Sequence, residues 1–431
     1  MRQNSRIDRQ DNFYRQLRRL AAVELLIICV WSLLSGATTS DSITYFEAWD
    51  TIISGSPDDL RTPLYPLIVG SLRAIFGNTI GLAAVYLLQS VLFILSIGWM
   101  RELTEALVAN RRIAKWTVAV YALYPGPLTM CGIILTESLA LTGSVGLLLL
   151  SYRAFSRPSA ASALWSGLVM AALIMLRPAL IYLPVAFLLF WLIVVCLRQS
   201  SPAARLAGVG SSVGAMGVLA LYCMAMSAAY GVFGPSTVSG TNNYFTVRSA
   251  GIMNPEELPR PELRAIADSL LKANGEAPDL PAMWDEVAVL SRVASPVEMG
   301  QYTSLAIKAH PVEVAKFMLT QRLADVCAAD CIYGGSVCPP LRALTKPFSV
   351  NNGAAFLMML LLMITMARAD LRSRRFSTFM WFLCGLLTVT YATVTIGAQN
   401  EWPRLLLPGY PVLLILAASL MSRATAAASD R

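Results

Sequence analysis

Apolar segments long enough to cross a bilayer recur along most of this chain, and they constrain its fold more than any other feature. A membrane-spanning helix needs about 20 mostly apolar residues, and only helices and closed barrels satisfy their backbone polar groups in lipid. We therefore expect an all-α polytopic membrane protein with about ten transmembrane helices. The candidate spans are 20–34, 80–99, 114–132, 136–151, 160–176, 179–197, 206–229, 352–367, 376–397 and 404–422.

The composition agrees with this reading. Hydrophobic residues make up 56% of the 431 residues, charged residues only 14%, and the mean hydropathy is +0.58. Soluble globular domains are nearer about 45–50% apolar and 25% charged. These values exclude a disordered chain, a coiled coil and an ordinary cytosolic enzyme.

The distribution of arginine and lysine predicts the orientation. The net charge is +8, and basic residues concentrate in the N-terminal tail and in alternate short loops. Under the positive-inside rule those segments are cytoplasmic, so both termini are expected in the cytoplasm. The organisation predicted is an N-terminal transmembrane module (1–229) with a first external segment (36–79), a large, mostly helical external loop (230–349), and C-terminal transmembrane helices (350–431).

The first external segment holds the most informative pattern. An apolar stripe at helical spacing predicts a short helix that ends near Gly55 and lies in the membrane interface. Its members are Tyr45, Ala48, Trp49, Ile52 and Ile53. Asp41 falls at the start of this helix, where it either only caps the helix or serves as a functional carboxylate. Arg61 precedes a second helix start, where it either binds an anion or anchors to lipid phosphate.

Several short sequences, in order, resemble one superfamily. They are Asp41 with Tyr45, Arg61-Thr62-Pro63-Leu64-Tyr65-Pro66, Leu135-Thr136-Glu137-Ser138-Leu139, Leu176-Arg177-Pro178, Ala309-His310-Pro311 with Arg322, and Glu401-Trp402-Pro403-Arg404 continuing to Pro408. Together they resemble the GT-C superfamily of membrane glycosyltransferases, in its bacterial protein-mannosyltransferase-like and aminoarabinose-transferase-like branch. One departure is that the second acidic position is a single Glu137 and not an Asp-Glu pair.

The resemblance implies a glycosyltransferase that moves one sugar, with inversion, from a polyprenyl-phosphate donor to an extracytoplasmic glycolipid, envelope glycan or protein. It implies catalytic roles for Asp41, as general base, and Glu137, which could equally be a structural partner of Arg177 or Arg404. Donor-phosphate contacts are expected from Arg61, Arg177 and Arg404, and substrate contacts from Tyr45, Tyr65 and Glu401. Independently of the resemblance, few ionisable residues lie near the external face outside the long loop, and several loops supply them.

The expected partners are the lipid donor, the acceptor and the bilayer of a bacterial inner membrane, with no nucleic acid. No cofactor is required by this chemistry, although a divalent cation held by Asp41, Glu137 and Glu401 is a minority alternative. The chain has one histidine, His310, so a multi-histidine metal site is excluded. One disulfide is expected among Cys327, Cys331 and Cys338.

Two other functions fit a polytopic chain of this kind. A flippase or transporter of lipid-linked sugars predicts inverted repeats and polar helices at the midplane, and neither is evident in the sequence. An O-antigen polymerase or ligase relies on a large arginine-rich external loop, which residues 230–349 could supply. The Asp41–Arg61 pattern argues against this second alternative.

Overall fold

The computed structural model describes residues 2–36, 38–258, 260–276, 278–330, 350–373, 377–398 and 401–429. Within these ranges the chain is helical and has no β-strand, only one isolated bridge between Asp330 and Asn351. The prediction of an all-α polytopic membrane protein is confirmed. Cys331 and Cys338, two of the three cysteines expected to form a disulfide, lie outside the described residues.

Ten helices make up the N-terminal half of the chain. They are α1 (Arg2–Ser35), α2 (Ser40–Ile53), α3 (Leu64–Phe76), α4 (Asn78–Leu107), α5 (Arg111–Leu123), α6 (Pro125–Thr129), α7 (Glu137–Ser156), α8 (Ala160–Leu176), α9 (Leu183–Cys196) and α10 (Pro202–Tyr230). Short 3₁₀ turns at Met130–Gly132 and Pro178–Leu180 precede α7 and α9.

The described part of the long loop, which ends at residue 330, consists mainly of helices. It contains α11 (Val238–Ser249), α12 (Pro261–Asn274), α13 (Leu280–Leu290), α14 (Pro296–Ala309), α15 (Pro311–Phe317) and α16 (Leu323–Ala328), with a π-helical turn at Met318–Arg322. The C-terminal helices are α17 (Asn352–Ser373), α18 (Thr378–Gly397), α19 (Trp402–Leu405) and α20 (Tyr410–Ser429).

The number of spans differs from the sequence prediction. Among the described residues, seven helices are long and apolar enough to cross a membrane, or eight if α1 and α2, which meet at 79°, count as one broken span. The predicted span 114–132 is instead α5 and α6, which are interrupted at Pro125 because proline cannot continue the helix. The predicted span 160–176 is α8, whose 17 residues fall short of the length required.

Two large hydrophobic cores organise the described part of the chain, beside a small cluster of Val108, Ala114 and Ala418. The larger one combines buried side chains from α1 through α9 with others from α17 to α20, including Phe93, Tyr121 and Trp191. The smaller one lies within the long loop and is formed by α11 to α14 and the turn after α11, with Tyr244, Leu263 and Tyr302 among its members. The long loop therefore has its own packed interior.

Close helix contacts depend on glycine at two positions near the site described below. A Cβ atom on Gly70 of α3 would lie 2.1 Å from the Trp49 ring of α2, and one on Gly167 of α8 would lie 2.4 Å from Cβ of Ser211 in α10. Small residues allow helix backbones to approach in a membrane protein. Gly70 thus sets how closely α2, which carries Asp41, packs on α3.

We expect Gly70→Ala to lower stability by about 1–3 kcal/mol, because the added methyl group displaces Trp49 and forces α2 and α3 apart. Thermal unfolding of the purified protein in detergent measures the change. The control is Gly217→Ala in α10, where a Cβ atom meets nothing within 4 Å. An unchanged unfolding temperature for Gly70→Ala would contradict the packing described.

Candidate active site

Asp41 lies in the first turn of α2, but it does not cap the helix. Thr39 is the N-cap, and its side chain accepts a hydrogen bond from the backbone N–H of Ser42, while the Ser42 hydroxyl accepts one from the backbone N–H of Thr39. Ser42 also donates to the Ile134 carbonyl at 3.1 Å, which fixes the start of α2 against the turn before α7. The carboxylate of Asp41 is therefore free for other partners.

Two guanidinium groups hold that carboxylate. Nη2 of Arg61 donates to Oδ1 of Asp41 at 2.7 Å, and both Nη1 and Nη2 of Arg404 donate to Oδ2 at 3.0 Å. Charge-assisted hydrogen bonds of this kind are the strong ones in proteins. The sequence placed Asp41 and Arg61 in one segment, and the structure brings Arg404 to them from a turn 363 residues away.

The side chain of Arg61 is positioned by the helix that carries Asp41. Its Nε donates to Oγ1 of Thr44 at 2.8 Å, and its guanidinium carbon lies 4.5 Å from the centre of the Tyr45 ring. The backbone N–H of Arg61 donates to Oδ1 of Asp58 at 2.7 Å. Thr44 was not singled out in the sequence, although it lies one helical turn after Asp41.

Arg404 connects Asp41 to the other acidic residues predicted for the site. Its Nε lies 3.2 Å from Oε1 of Glu137, and its Nη2 lies 2.8 Å from Oε2 of Glu401. Glu401 has a φ of +59°, a left-handed backbone conformation that is uncommon outside glycine. This conformation turns the chain into α19, one helical turn before Arg404. The strained backbone of Glu401 therefore belongs to the turn that positions the Arg404 guanidinium.

Glu137 and Arg177 form the buried part of the cluster. Nη1 of Arg177 lies 3.2 Å from Oε1 of Glu137, and their side chains are only 6% and 3% exposed. Glu137 thus has the ion-pair role that the sequence left open, and it has it with both Arg177 and Arg404. By contrast, the side chains of Asp41 and Glu401 are 31% and 55% exposed. The cluster is open to solvent on the Asp41 side and closed at Glu137.

The two tyrosines predicted to bind substrate lie beneath Arg61. The ring of Tyr45 makes an edge-to-face contact with the ring of Tyr65, with ring centres 4.8 Å apart. Tyr65 is fully buried, and its hydroxyl donates to Oε1 of Gln89 at 3.1 Å. In turn, Nε2 of Gln89 donates to the carbonyls of Cys131 and Ile133. Tyr65 therefore supports the site from within the core, away from its open side.

Gln89 is a site-building residue that the sequence analysis missed. It is a fully buried amide within the long apolar helix α4, and its hydrogen bonds hold the turn that leads to Glu137. A polar residue inside a membrane-spanning helix is a signal in itself, because burying it without partners is costly. That signal was present in the run 80–99.

Opposite charges within the cluster stabilise the ionised forms of Asp41 and Arg404. Burial favours the neutral carboxyl form of Asp41, but the neighbouring Arg61 and Arg404 outweigh it and lower the pKa of Asp41 below its ordinary value. Burial acts against the charge of Arg404 as well, and the carboxylates of Glu137, Glu401 and Asp41 outweigh it and raise the pKa of that guanidinium. Asp41 and Arg404 are therefore both ionised at neutral pH.

The three carboxylates do not form a metal site in this arrangement. Arg404 contacts Asp41, Glu137 and Glu401 within 3.2 Å, so a guanidinium lies between the groups that would bind a cation. Across the ranges that the structure describes, no three His, Cys, Asp or Glu side chains converge as metal ligands.

Other residues of the resemblance lie outside the charged cluster. Arg322 is buried in the π-helical turn and donates to the carbonyl of Ala398 at 2.9 Å, with its guanidinium 6.0 Å from the Trp402 ring. His310 lies between α14 and α15, 3.8 Å from Glu257. Arg322 thus contacts the approach to α19 from the long loop.

Comparison with known proteins identifies solved structures that share this fold. No protein-family model matches the chain, and no curated protein matches its sequence. The oligosaccharyltransferase of Archaeoglobus fulgidus, solved with Zn and sulfate, matches 96% of this chain and 51% of its own, at a TM-score of 0.50 and 14% identity. AglB from Archaeoglobus fulgidus, solved with an inhibitory peptide and a dolichol-phosphate, matches 96% and 52%, at a TM-score of 0.50 and 15% identity.

The chain spans about half the length of those solved oligosaccharyltransferases. They are members of the GT-C superfamily, and at this level of identity the likeness shows the fold. The present chain therefore has the GT-C fold, as its sequence resemblance implied.

We expect Glu137→Gln to lower stability by about 3–5 kcal/mol, because it leaves buried guanidinium charge at Arg177 without its partner. The matched control is Glu401→Gln, whose exposed carboxylate contributes less than about 1 kcal/mol. Chemical unfolding in detergent compares the two variants. Equal losses would show that burial of the Glu137 pair has no energetic consequence.

The stability that Asp41 contributes depends on pH in a defined direction. Its folded-state pKa lies below the ordinary value of 3.8, so its contribution is complete above that value and is lost as the pH falls through the folded-state pKa. The stability difference between the native protein and Asp41→Asn should therefore be constant near neutral pH and shrink below about pH 4. Unfolding measured from pH 3 to 7 in both proteins tests this, and a difference that grows on acidification would contradict it.

Proposed function

We propose that this protein is a membrane glycosyltransferase that moves a single sugar from a polyprenyl-phosphate donor to an acceptor outside the cytoplasm. The observation that supports it most is the Asp41 carboxylate held between Arg61 and Arg404 at the open side of a buried ionic cluster. It is joined by the GT-C fold, which the chain shares with transferases that use lipid-linked glycans. The acceptor is a glycolipid, an envelope glycan or a protein.

The donor phosphate fits Arg61 and Arg404, the two arginines that are partly exposed at the open side of the cluster. A polyprenyl-phosphate sugar is a phosphodiester with one negative charge, and the departing polyprenyl phosphate gains a second when the bond to the sugar breaks. Arg61 and Arg404 are in place to neutralise that developing charge, and guanidinium groups bind phosphate oxygens through two parallel hydrogen bonds. Arg177 is engaged by Glu137 in the buried part of the cluster, so its contribution is to hold Glu137 and, through it, Arg404.

Asp41 acts as the general base. The acceptor hydroxyl attacks the anomeric carbon, its proton passes to the Asp41 carboxylate, and the electron pair of the broken carbon–oxygen bond remains on the phosphate. Attack from the face opposite the leaving phosphate inverts the anomeric centre. The total charge of the site is unchanged by the step, because the negative charge that Asp41 loses appears on the phosphate. No cofactor is needed for this chemistry.

The ion pairs imply an order of binding. Without donor, both guanidinium groups lower the pKa of Asp41, which makes it a weak base. A donor phosphate competes for the same guanidinium hydrogens, so its binding weakens their hold on Asp41 and strengthens it as a base. Donor binding before acceptor deprotonation follows from the shared arginines. Glu401, whose exposed side chain lies beside Arg404, is in position to contact a substrate, whereas Tyr45 is buried beneath Arg61 and supports that guanidinium group.

The orientation of the protein in the membrane is inferred from the basic residues of its loops. Both termini lie in the cytoplasm of a bacterium, the chain crosses the inner membrane, and the Asp41 end of the bundle faces outward. An outward site matches a donor whose sugar has already been carried across the membrane. Mass profiling of envelope glycans, lipids and proteins, with and without this protein, identifies the acceptor and the added sugar together.

Asp41→Asn should reduce sugar transfer by about 10²–10⁴-fold, the usual contribution of a general base. The assay uses purified protein in liposomes, labelled polyprenyl-phosphate sugars, and envelope from cells that lack the protein as acceptor. Asp50→Asn, an exposed carboxylate on the same helix, is the matched control and should retain activity. Near-normal transfer by Asp41→Asn would refute the assignment of the base, and no transfer by the native protein with any donor would refute the proposed function.

Arg61→Ala should raise the KM for the lipid donor by at least tenfold while the KM for the acceptor changes little, because Arg61 binds the donor phosphate. Arg73→Ala is the control, since Arg73 belongs to the same segment but hydrogen-bonds to Asn78. Initial rates measured against each substrate separate the two constants. Equal changes in both KM values would argue against a phosphate contact.

A further inference from the structure

A groove of about 450 Å³ lies in the long loop, between the end of α10, the start of α11 and one face of α14. Ligand sites commonly occupy about 300–1,000 Å³. Its polar lining consists of Thr237, Ser239, Asn243, Gln301, Ser304 and Lys308, and its apolar lining includes Val232, Pro296, Val297 and Leu305. None of the residues that contribute to the ionic cluster lines it, so this groove is a separate feature of the described chain.

Hydrogen bonds connect the groove to the segment that carries Arg61. The backbone N–H and the hydroxyl of Thr237 both donate to the carbonyl of Asp59, at 2.8 and 3.1 Å. The hydroxyl of Tyr230, at the end of α10, donates to the carbonyl of Pro57 at 2.7 Å. Asp59 is two residues before Arg61, so one wall of the groove and the Arg61 segment form a single hydrogen-bonded unit.

The groove is formed by helices that are held closely together. A Cβ atom on Gly240 of α11 would lie 3.3 Å from the backbone nitrogen of Gly300 in α14, a distance that leaves no room for a larger residue without movement. The same helices enclose the smaller hydrophobic core, which includes Tyr244 and Tyr302. The walls are thus fixed by packing before any ligand arrives, which reduces the entropy lost on binding.

The chemistry of the lining selects among ligand classes. Its hydroxyl and amide side chains each donate and accept hydrogen bonds, as sugar hydroxyl groups do. Lys308 is its single charged residue, so the groove offers little to a phosphate-rich headgroup. Its walls are helices, whose backbone groups are already paired, so they cannot add an extended peptide as a strand. A neutral saccharide fits these properties best.

We propose that this groove binds the acceptor and that the acceptor presents a neutral, hydroxyl-rich saccharide there. This inference rests on the proposed glycosyltransferase function, since the groove is coupled to the segment of Arg61. It narrows the acceptor to a glycan or a glycan-bearing lipid, with the sugar in the groove and the reacting hydroxyl directed towards Asp41.

Binding of neutral trisaccharides to the full-length protein in nanodiscs tests the proposal without turnover. The panel comprises glucose, mannose, galactose and N-acetylglucosamine trisaccharides, with a sugar phosphate and an uncharged tripeptide for comparison, and saturation-transfer NMR reports contact. At least one neutral saccharide should bind, and Ser304→Trp, which fills the groove, should weaken it at least tenfold. Ser291→Trp, at an exposed serine at the end of α13, is the matched control and should bind as the native protein does.

A second groove variant guards against misfolding. Gln301 is exposed at the rim, so Gln301→Trp should fold normally and also weaken saccharide binding. The proposal is overturned if no neutral saccharide binds, if both groove variants bind as the control does, or if the peptide or the sugar phosphate is preferred. The two proposals can fail separately. If the groove variants lose saccharide binding but Asp41→Asn still transfers sugar, the groove is supported as a saccharide site and the catalytic assignment is rejected. Loss of transfer in Asp41→Asn, together with unchanged saccharide binding in both groove variants, would support the catalytic assignment and reject the groove as the acceptor site.

Discussion

The guanidinium group of Arg404 joins three carboxylates from three separate parts of the chain. It contacts Asp41 at the start of α2, Glu137 at the start of α7 and Glu401 within its own turn. A buried cation is stable only when such partners compensate for lost hydration, so each contact depends on the others being in place. The first helices of the bundle and the turn before its last helix are thereby held in one arrangement. The ionic cluster is both the candidate site and a long-range connection within the fold.

Local features of the site were predictable from the sequence, and long-range ones were not. The apolar stripe from Tyr45 to Ile53 predicted α2, and Asp41 and Arg61 are near enough in sequence to be considered together. The resemblance and the small number of ionisable residues near the external face both suggested Arg404, but neither spacing nor periodicity indicates its contact with Asp41 across 363 residues. The number of spans was overestimated where hydropathy alone cannot show that Pro125 interrupts an apolar stretch. Gln89 and the groove depend on which backbone carbonyls and helix faces meet, which only a three-dimensional structure shows.

The ionic cluster and the groove offer different groups to a ligand: the cluster has charged side chains, and the groove has mainly uncharged polar ones. The cluster that contains Arg61 suits an anionic phosphate, whereas the groove beside Thr237 offers hydroxyl and amide groups. Such separation is useful to a transferase with two substrates, because each can be selected by groups that the other does not satisfy. The hydrogen bonds from Thr237 and Tyr230 to the Arg61 segment then fix the distance between the two places. Under the proposed function, acceptor specificity would vary through the long loop while the groups that bind the donor phosphate stay unchanged.

The short helix α8 has a consequence for the surrounding lipid. Its 17 residues extend about 26 Å, less than the roughly 30 Å hydrocarbon layer, and it ends immediately before Arg177. It packs against the 29-residue α10 at Gly167, where the contact with Ser211 leaves no room for a larger residue. A bilayer accommodates such mismatch by thinning locally, at a cost that rises with every ångström. In a bilayer that surrounds α8, acyl-chain length would therefore act on the depth of Arg177 and of its partner Glu137.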